Sequence, residues 1–355
     1  MDSSSALLLP DAPAPRATRQ PSARWEATPV APGDWEDALA ACGGTFFHSP
    51  HALEVSLPAG TPVYARLEQG GRTLAVAVGA ATRCRLSRRS RHVRFAAPPA
   101  AAPGVDRDRA AAGLASFLAA RGAAEVVMDS FDAGYRADPP GGALPARERR
   151  EYVVALDADP AELLRGLART HRRHAARGDR EGWAVRALRG DAAVELLARV
   201  QRTASGRAAR RGGGFPTGEP PAAAGRPADP ARPWGLCTFG AFAGDAPLAA
   251  ALVGWAGGCA YYLMGGSTEE GYRLDAATWL HWRLMRTFAG AGCRAYNLGG
   301  APAEAERAEH PQHGLHRFKL AFGARPTECR GARWETAPRH LWLHRAMARL
   351  PGVGR

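Results

Sequence analysis

Lys319 stands in the stretch 313–323, HGLHRFKLAFG, and is the only lysine in a chain with 47 Lys and Arg residues. Every other cation of this kind is arginine, so position 319 calls for a compact ammonium with rotatable donors, not a planar guanidinium. Beside a reacting carbonyl, such a group stabilises the negative charge that develops on oxygen. Read as a helix, the stretch puts Leu315, Phe318 and Phe322 on one apolar stripe, with Lys319 at its edge and His316 one turn behind. Proton transfer at neutral pH needs a group that titrates nearby, and His316 and His281 are the imidazoles placed for it. Each equally fits a structural role. Lys319 and His316 form the expected catalytic pair. His310, His313 and His316 recur every third residue, but Pro311 interrupts the turn and no acidic or cysteine partner has matching spacing, so no metal is expected.

The elements that must hold this stretch are legible around it. GLCTFGAFAG, PLAAALVGWAG and GCAYYLMGGST are consecutive β-prone runs joined at Gly244-Asp245 and Gly257-Gly258, which predicts an antiparallel meander. Asp275 then opens a helix, AATWLHWRLMRTFAGAG, whose tryptophans, leucines and phenylalanine leave little polar face, so it should be largely buried. The strand RAYNLGG, a loop at 301–312, the lysine helix, the strand PTECRGARW and a terminal helix from about Arg339 complete the order. Gly265 and Gly266 are expected to serve close backbone packing.

Upstream, EYVVAL reads as a strand and residues 160–178 as a helix with Leu163, Leu164 and Leu167 inward. Its flank carries Arg169, Arg172, Arg173 and Arg177, a candidate polyanion-binding face. WAVRAL is a strand, 191–204 an amphipathic helix capped by Asp191, and 205–233 a long Gly/Pro/Arg-rich loop that is either a lid or disordered. In the first half, a short strand leads to a helix capped by Asp34. TFFHSPHALEVSL, which carries His48, is a turn and helix, and 61–83 is a hairpin turning at Gln69-Gly70-Gly71. A helix over 106–122 precedes the strand AEVVMDSFD, whose end at Asp129 and Asp132 is a candidate site edge. The Pro/Gly/Arg-rich stretch 135–150 reads as a linker. The expected division is a disordered leader over 1–24, an N-terminal domain over 25–146 and a C-terminal domain over 147–355.

A chain of 355 residues exceeds what one core supports, and an apolar content of 46% is that of a globular protein. No apolar run reaches the roughly 18 residues of a membrane helix. The six cysteines are scattered without a C-x-x-C pair, as free thiols in a reducing compartment are. A cytoplasmic monomer is expected. The net charge of +13 favours nucleic acid, a phosphorylated substrate or an anionic membrane surface as partner; arginines on solvated faces produce the same balance.

The succession Y-Y-L-M-G-G, buried helix, Y-N-L-G-G and G-L-H-R-F-K-L-A-F-G resembles the Fem family, the aminoacyl-tRNA-dependent transferases of FemAB/FemX type, and equally their wider GNAT-like relatives. The likeness covers residues 234–333, is weaker over 152–204, and is architectural in the first half. It implies an α+β fold of two tandem GNAT-like domains, each a mainly antiparallel sheet with flanking helices, and an acceptor bound in the cleft between them. It also implies N-acylation of an amine on a peptidoglycan precursor or natural product. The implied donor is aminoacyl-tRNA, with acyl-CoA as the alternative, and no tightly bound cofactor. A non-catalytic protein that binds tRNA or a precursor is the alternative from another class. The family's Phe-Lys pair falls on Phe318 and Lys319, its aromatic pair on Tyr261 and Tyr262, and its strand-end motif on Asn297, Gly299 and Gly300. Arg273, Asp129 and His48 complete the expected substrate-binding set.

The chain departs from the pattern in three places. Asn297 replaces the strand-end acid of relatives, the helical hairpin of larger Fem enzymes is missing, and Ala276 stands where a coenzyme A turn needs glycine for backbone N–H groups to reach pyrophosphate.

Overall fold

The computed structural model describes residues 22–57, 59–84, 87–131, 143–210, 219–226 and 230–336. The fold is mixed α+β, built on one large and mostly antiparallel sheet. In the first half, β1 (Arg24–Thr28) is followed by two short helices, α1 (Trp35–Ala41) and α2 (His51–Val55). The hairpin β2 (Thr61–Gln69) and β3 (Arg72–Cys84) turns at Gly70 and Gly71, whose φ of 58° and 78° only glycine adopts cheaply. Then come β4 (Ser87–Phe95), the two-residue β5 (Ala100–Ala101), α3 (Arg107–Ala119) and β6 (Ala123–Met128). Asp106 caps α3, its carboxylate accepting from the backbone N–H groups of Asp108 and Arg109.

β7 (Leu144–Ala155) opens the second half, and Asp159 caps α4 (Pro160–Gly166), with proline at the first helical position. α5 (Arg169–Arg180), β8 (Ala184–Leu188) and α6 (Gly190–Arg210) lead into the expected meander, β9 (Gly235–Ala243), β10 (Ala246–Ala256) and β11 (Cys259–Ser267). α7 (Glu269–Arg273) and α8 (Ala276–Gly290) cross to β12 (Ala295–Ala301); α9 (His313–Leu320) carries Lys319, and β13 (Arg325–Glu335) ends the described chain.

The strand order is β1-β2-β3-β4-β6-β13-β7-β12-β11-β10-β9-β8, with β5 on β3. Pairing is parallel at β4–β6 and β11–β12 and antiparallel elsewhere. Each half thus has a meander, a helical crossover and one parallel pair. The last described strand, β13, pairs with β6 on one side and β7 on the other, which makes the sheet continuous.

Four local expectations change: α6 runs on to Arg210, so residues 205–210, expected as the start of a long loop, are helical. The linker stretch enters the sheet at Leu144, because its alternating charges find partners across the ladder: Arg150 meets Glu328, and Glu148 meets Arg330. The single helix expected over 160–178 breaks at Leu167 and Ala168, where the backbone is extended and Leu167 turns into the core. Asp34 stands at the start of α1 without capping it, since its carboxylate accepts two hydrogen bonds from Arg66 instead. The terminal helix expected from Arg339 and the candidate Asp132 lie outside the described residues. α8 is buried as its sequence demands, with Trp279, Leu280, Trp282, Leu284, Met285 and Phe288 in the main core.

Candidate functional site

The site begins as a failure of strand pairing. β11 and β12 are joined in parallel only at Cys259–Ala295, Ala260–Tyr296 and Tyr261–Asn297, after which both continue without bonding each other. Bulges flank the point of parting, in β10–β11 at Leu252/Val253 and in β12–β7 between Asn297 and Gly300. A bulge re-aims a strand, and two of them here open a cleft in the middle of a sheet.

Two adjoining cavities fill the gap, one of about 400 Å³ and one of about 680 Å³. Tyr262, Gly265, Gln312 and Leu315 line both, so they form one channel. The smaller holds Lys319, Glu151, Arg149 and Asn297 among apolar groups from Phe47, Phe131 and Tyr261. The larger runs along Phe318 to Arg207, Tyr272, Arg273 and Asp275 at the start of α8.

Lys319 is 4% exposed. Its Nζ donates to the Gly300 carbonyl at 2.9 Å and lies 5.5 Å from the Tyr152 ring centre. Burial pushes the ammonium down to about 7, Arg149 pushes the same way, and Glu151 opposes both. The residue therefore changes charge near neutrality. Gly299, with φ 74°, brings the backbone close, so that a Cβ there would sit 3.2 Å from the Tyr262 carbonyl.

Beside the lysine is a buried polar cluster. Asn297 Nδ2 donates to Glu151 at 2.6 Å, its Oδ1 accepts from the Gly299 N–H at 2.8 Å, and Arg149 pairs with the other Glu151 oxygen at 3.0 Å. The Arg149 guanidinium lies 4.0 Å over the Phe131 ring. Gln201 of α6 donates to the Gly265 carbonyl at 2.8 Å on the opposite wall. Asn297 is no base, but through its amide it holds a carboxylate from the next strand.

His316 and His281 are differently placed. His316 hydrogen-bonds the Tyr152 hydroxyl at 2.7 Å and is not among the residues lining the channel. It supports the ring over which Lys319 lies. His281 hydrogen-bonds Tyr296 at 3.0 Å and packs between Tyr262, Phe318 and Phe322. Burial drives its imidazole down to about 3, so it stays neutral on the wall of the larger cavity, which it lines. Burial also raises the hydroxyls of Tyr262 and Tyr296 above their ordinary range.

Of the expected substrate-binding residues, the channel unites Tyr261, Tyr262, Asn297, Gly299, Gly300, Phe318 and Arg273 with Lys319. Arg273 is exposed and pairs with Glu270. Asp129 and His48 lie outside it. Arg94 grips the Asp129 carboxylate at 2.6 and 3.1 Å. His48 is fully buried between Thr45 and the Pro98 carbonyl, 2.8 Å away, and holds the turn that presents Phe47. On α5, Arg172 donates to the carbonyls of Arg165 and Leu167, and Arg177 pairs with Glu181. Arg169 and Arg173 are exposed. Glu151, Arg149, Gln201, Phe47 and Phe131 are lining residues that the sequence reading missed. One signal for Glu151 was available, a charged residue at the head of the apolar run YVVA. Among the described residues no group of three His, Cys, Asp or Glu side chains is placed to hold a metal ion.

The model of an acetyltransferase (GNAT) domain matches residues 165–307. The parted β11–β12 pair lies within the GNAT segment, whereas Lys319 and Glu151 flank it on either side. The fold is similar to that of the crystal structure of FemX, with a TM-score of 0.65 and 13% identity, covering 90% of this chain and 100% of that one. It is also similar to a conserved protein of unknown function from Bacteroides thetaiotaomicron, with a TM-score of 0.52 and 10% identity over 87% and 99% of the two chains. These likenesses are of fold. No curated protein matches the sequence. A segment that matches a GNAT acetyltransferase domain thus sits within a fold similar to that of FemX, and no helix among the described residues is long and apolar enough to cross a membrane.

Proposed function

We propose that the protein transfers an aminoacyl group from aminoacyl-tRNA to an amine of a peptidoglycan precursor or natural product. The observation that carries the reading is the Lys319 ammonium, buried against Gly299 and Gly300 where β11 and β12 part. As the amine adds to the ester carbonyl, the oxygen gains charge, and a fixed cation in a dry cleft stabilises it by roughly 3–4 kcal/mol. The ammonium form is needed, so this contribution falls as the pH rises through about 7.

The choice of donor rests on the start of α8. Asp275, in the left-handed region at φ 56°, puts a carboxylate at that helix end and pairs with His174 at 3.3 Å; Ala276 after it is buried. A carboxylate and a Cβ there oppose a pyrophosphate, whose charge a helix N-terminus otherwise attracts. Arg173 precedes His174 on the exposed side of α5, which offers the phosphates of a tRNA a cationic approach to the larger cavity. The match to an acetyltransferase domain favours acyl-CoA as a second reading.

The test is transfer with purified Lys319→Met protein and binding of charged and uncharged tRNA across a salt series. The reading expects binding that weakens steeply with salt and turnover lost in the variant. Salt-independent or absent tRNA binding, with turnover of acyl-CoA, replaces the donor; full turnover by Lys319→Met removes the role of the lysine.

A further inference from the structure

We infer that the acceptor carries a carboxylate a few atoms from its amine, and that Arg149 grips this carboxylate in the smaller cavity. The inference deepens the amine-acceptor reading above, on which it rests, by naming a class of acceptor.

A guanidinium has five N–H donors in a fixed fork. Arg149 pairs with Glu151 through Nη2 at 3.0 Å and lies 4.0 Å over the Phe131 ring; among the described residues it has no other hydrogen-bonded or ionic partner. Its side chain is 18% exposed, so it is largely dehydrated yet reached from the cavity that it lines. Gly300 makes the room for it, since a Cβ there would fall 2.5 to 2.9 Å from the guanidinium. A fork held between a ring and a backbone, with N–H groups left over, suits a carboxylate, which accepts two parallel bonds from it.

The charge of the cavity selects a single negative charge. Among the described residues its charged lining is Arg149, Glu151 and Lys319, two cations and one anion when the lysine is protonated and a balanced pair when it is not. One carboxylate balances the protonated set, whereas a doubly charged phosphate monoester overshoots it. Burial is the main cause of the low Lys319 pKa, and Arg149 is the next. A carboxylate on Arg149 offsets the second cause. The acceptor thereby draws one proton from solvent onto Nζ and produces the ammonium that the transfer needs. The neighbouring titratable groups do not follow. Burial raises the hydroxyls of Tyr152 on β7 and Tyr262 on β11, and His281 on α8 stays neutral, driven down to about 3. On the lysine's own helix, His316 is bonded to the Tyr152 hydroxyl.

The rest of the cavity describes the remainder of the occupant. Gln201 of α6 is 5% exposed and gives its amide N–H to the Gly265 carbonyl, while its amide oxygen accepts from no described residue. That oxygen is an acceptor for an N–H of the incoming amine. Phe47 packs on Tyr261 at 4.9 Å and on Phe131 at 5.5 Å between ring centres, an aromatic wall for an apolar side group. Carboxylate, amine and apolar group within about 400 Å³ describe a small apolar amino acid.

The experiment needs no donor and uses the single lysine as its reporter. Isotope-labelled lysine gives one side-chain signal by NMR, and its titration midpoint is read with and without saturating hydrocinnamate. Calorimetry compares hydrocinnamate with hydrocinnamyl alcohol on wild type and Arg149→Gln, with a thermal melt of each. In wild type near pH 7 the acid should bind roughly tenfold more tightly than the alcohol and lift the lysine midpoint by about one pH unit. The preference should shrink as the pH rises from about 7 toward 9, because the bound form holds the extra proton. Arg149→Gln should bind acid and alcohol alike. Equal binding of the two by wild type, a lysine midpoint that hydrocinnamate leaves unmoved, or a full preference for the acid in folded Arg149→Gln overturns the site. Should Arg149→Gln fail to fold, the two wild-type readouts decide alone. Absence of tRNA binding leaves these results standing, and full-rate transfer to amines without a carboxylate removes this site while sparing the transfer reading.

Discussion

Two glycine pairs border the cleft, Gly265-Gly266 on β11 and Gly299-Gly300 on β12, and they are used in opposite ways. A Cβ on Gly265 would strike the Ala250 carbonyl of the neighbouring strand, and one on Gly266 would sit 3.0 Å from the Val200 carbonyl of α6. Those neighbours are backbone and cannot yield. A Cβ on Gly300 would instead meet the Arg149 guanidinium at 2.5 to 2.9 Å, whereas one on Gly299, whose φ is 74°, would sit 3.2 Å from the Tyr262 carbonyl with Lys319 Nζ at 3.8 Å. Here the glycines admit the ends of charged side chains. The same dipeptide packs against backbone on one strand and borders charged side chains on the other; the pairs differ in what stands opposite and in the positive φ of Gly299.

The contrast can be broken at several points. The largest effect is expected from Lys319→Met, which should lower turnover by roughly 100- to 1000-fold, as removal of one oxyanion donor does, while the protein stays folded. Steady-state kinetics and a thermal melt check both halves of that statement. The same pair of proteins tests the charge. Lys319 has its folded pKa depressed, from 10.5 to about 7, so the unfolded chain binds more protons between those values and wild-type stability rises with pH across that window. Below about pH 7 the buried ammonium costs on the order of a few kcal/mol. Wild type at pH 6 should therefore be less stable than Lys319→Met, with the difference narrowing as the pH rises and closing only near pH 10.5; a gap that does not change with pH contradicts the burial of the charge.

Next in size, Gly265→Ala should destabilise the protein by about 1–3 kcal/mol, the usual cost of overpacking against atoms that cannot move. Gly300→Ala should cost little stability, since Arg149 can swing aside, but should loosen Glu151 and lower kcat/KM about tenfold, on the order of 1.4 kcal/mol. Equal melting temperatures for the two variants would erase the distinction drawn between the pairs. The smallest effect is expected on α5: Arg169→Gln with Arg173→Gln should reduce the salt slope of tRNA binding by about 2 without altering the melt.

Much of the frame was readable beforehand. The β9–β10–β11 meander, its glycine turns, the buried α8 and the position of Lys319 at the edge of an apolar stripe all depend on short-range periodicity and turn chemistry, which operate within a dozen residues. The misreadings share one cause. Residues 144–150 looked like a linker because their charges have no local partner; they form a strand because Glu328 and Arg330 arrive from far along the chain. For His281 a base and a structural role were both open, and its packing among Tyr262, Tyr296 and Phe322, on the wall of the larger cavity, shows why it stays neutral. Arg172 and Arg177 looked like a phosphate-binding row, but their guanidinium groups are engaged within the protein.

Asn297 is the sharpest case. Its sequence position promised an acid and supplied an amide, and no reading of residues 294–300 could reveal that Glu151 lies against it. Periodicity, turn residues and a solitary lysine determined which elements this chain makes and which side chain to suspect. The pairing of β7 with β12 decided what that lysine works beside, because register joins residues 146 positions apart whose juxtaposition has no trace in local sequence.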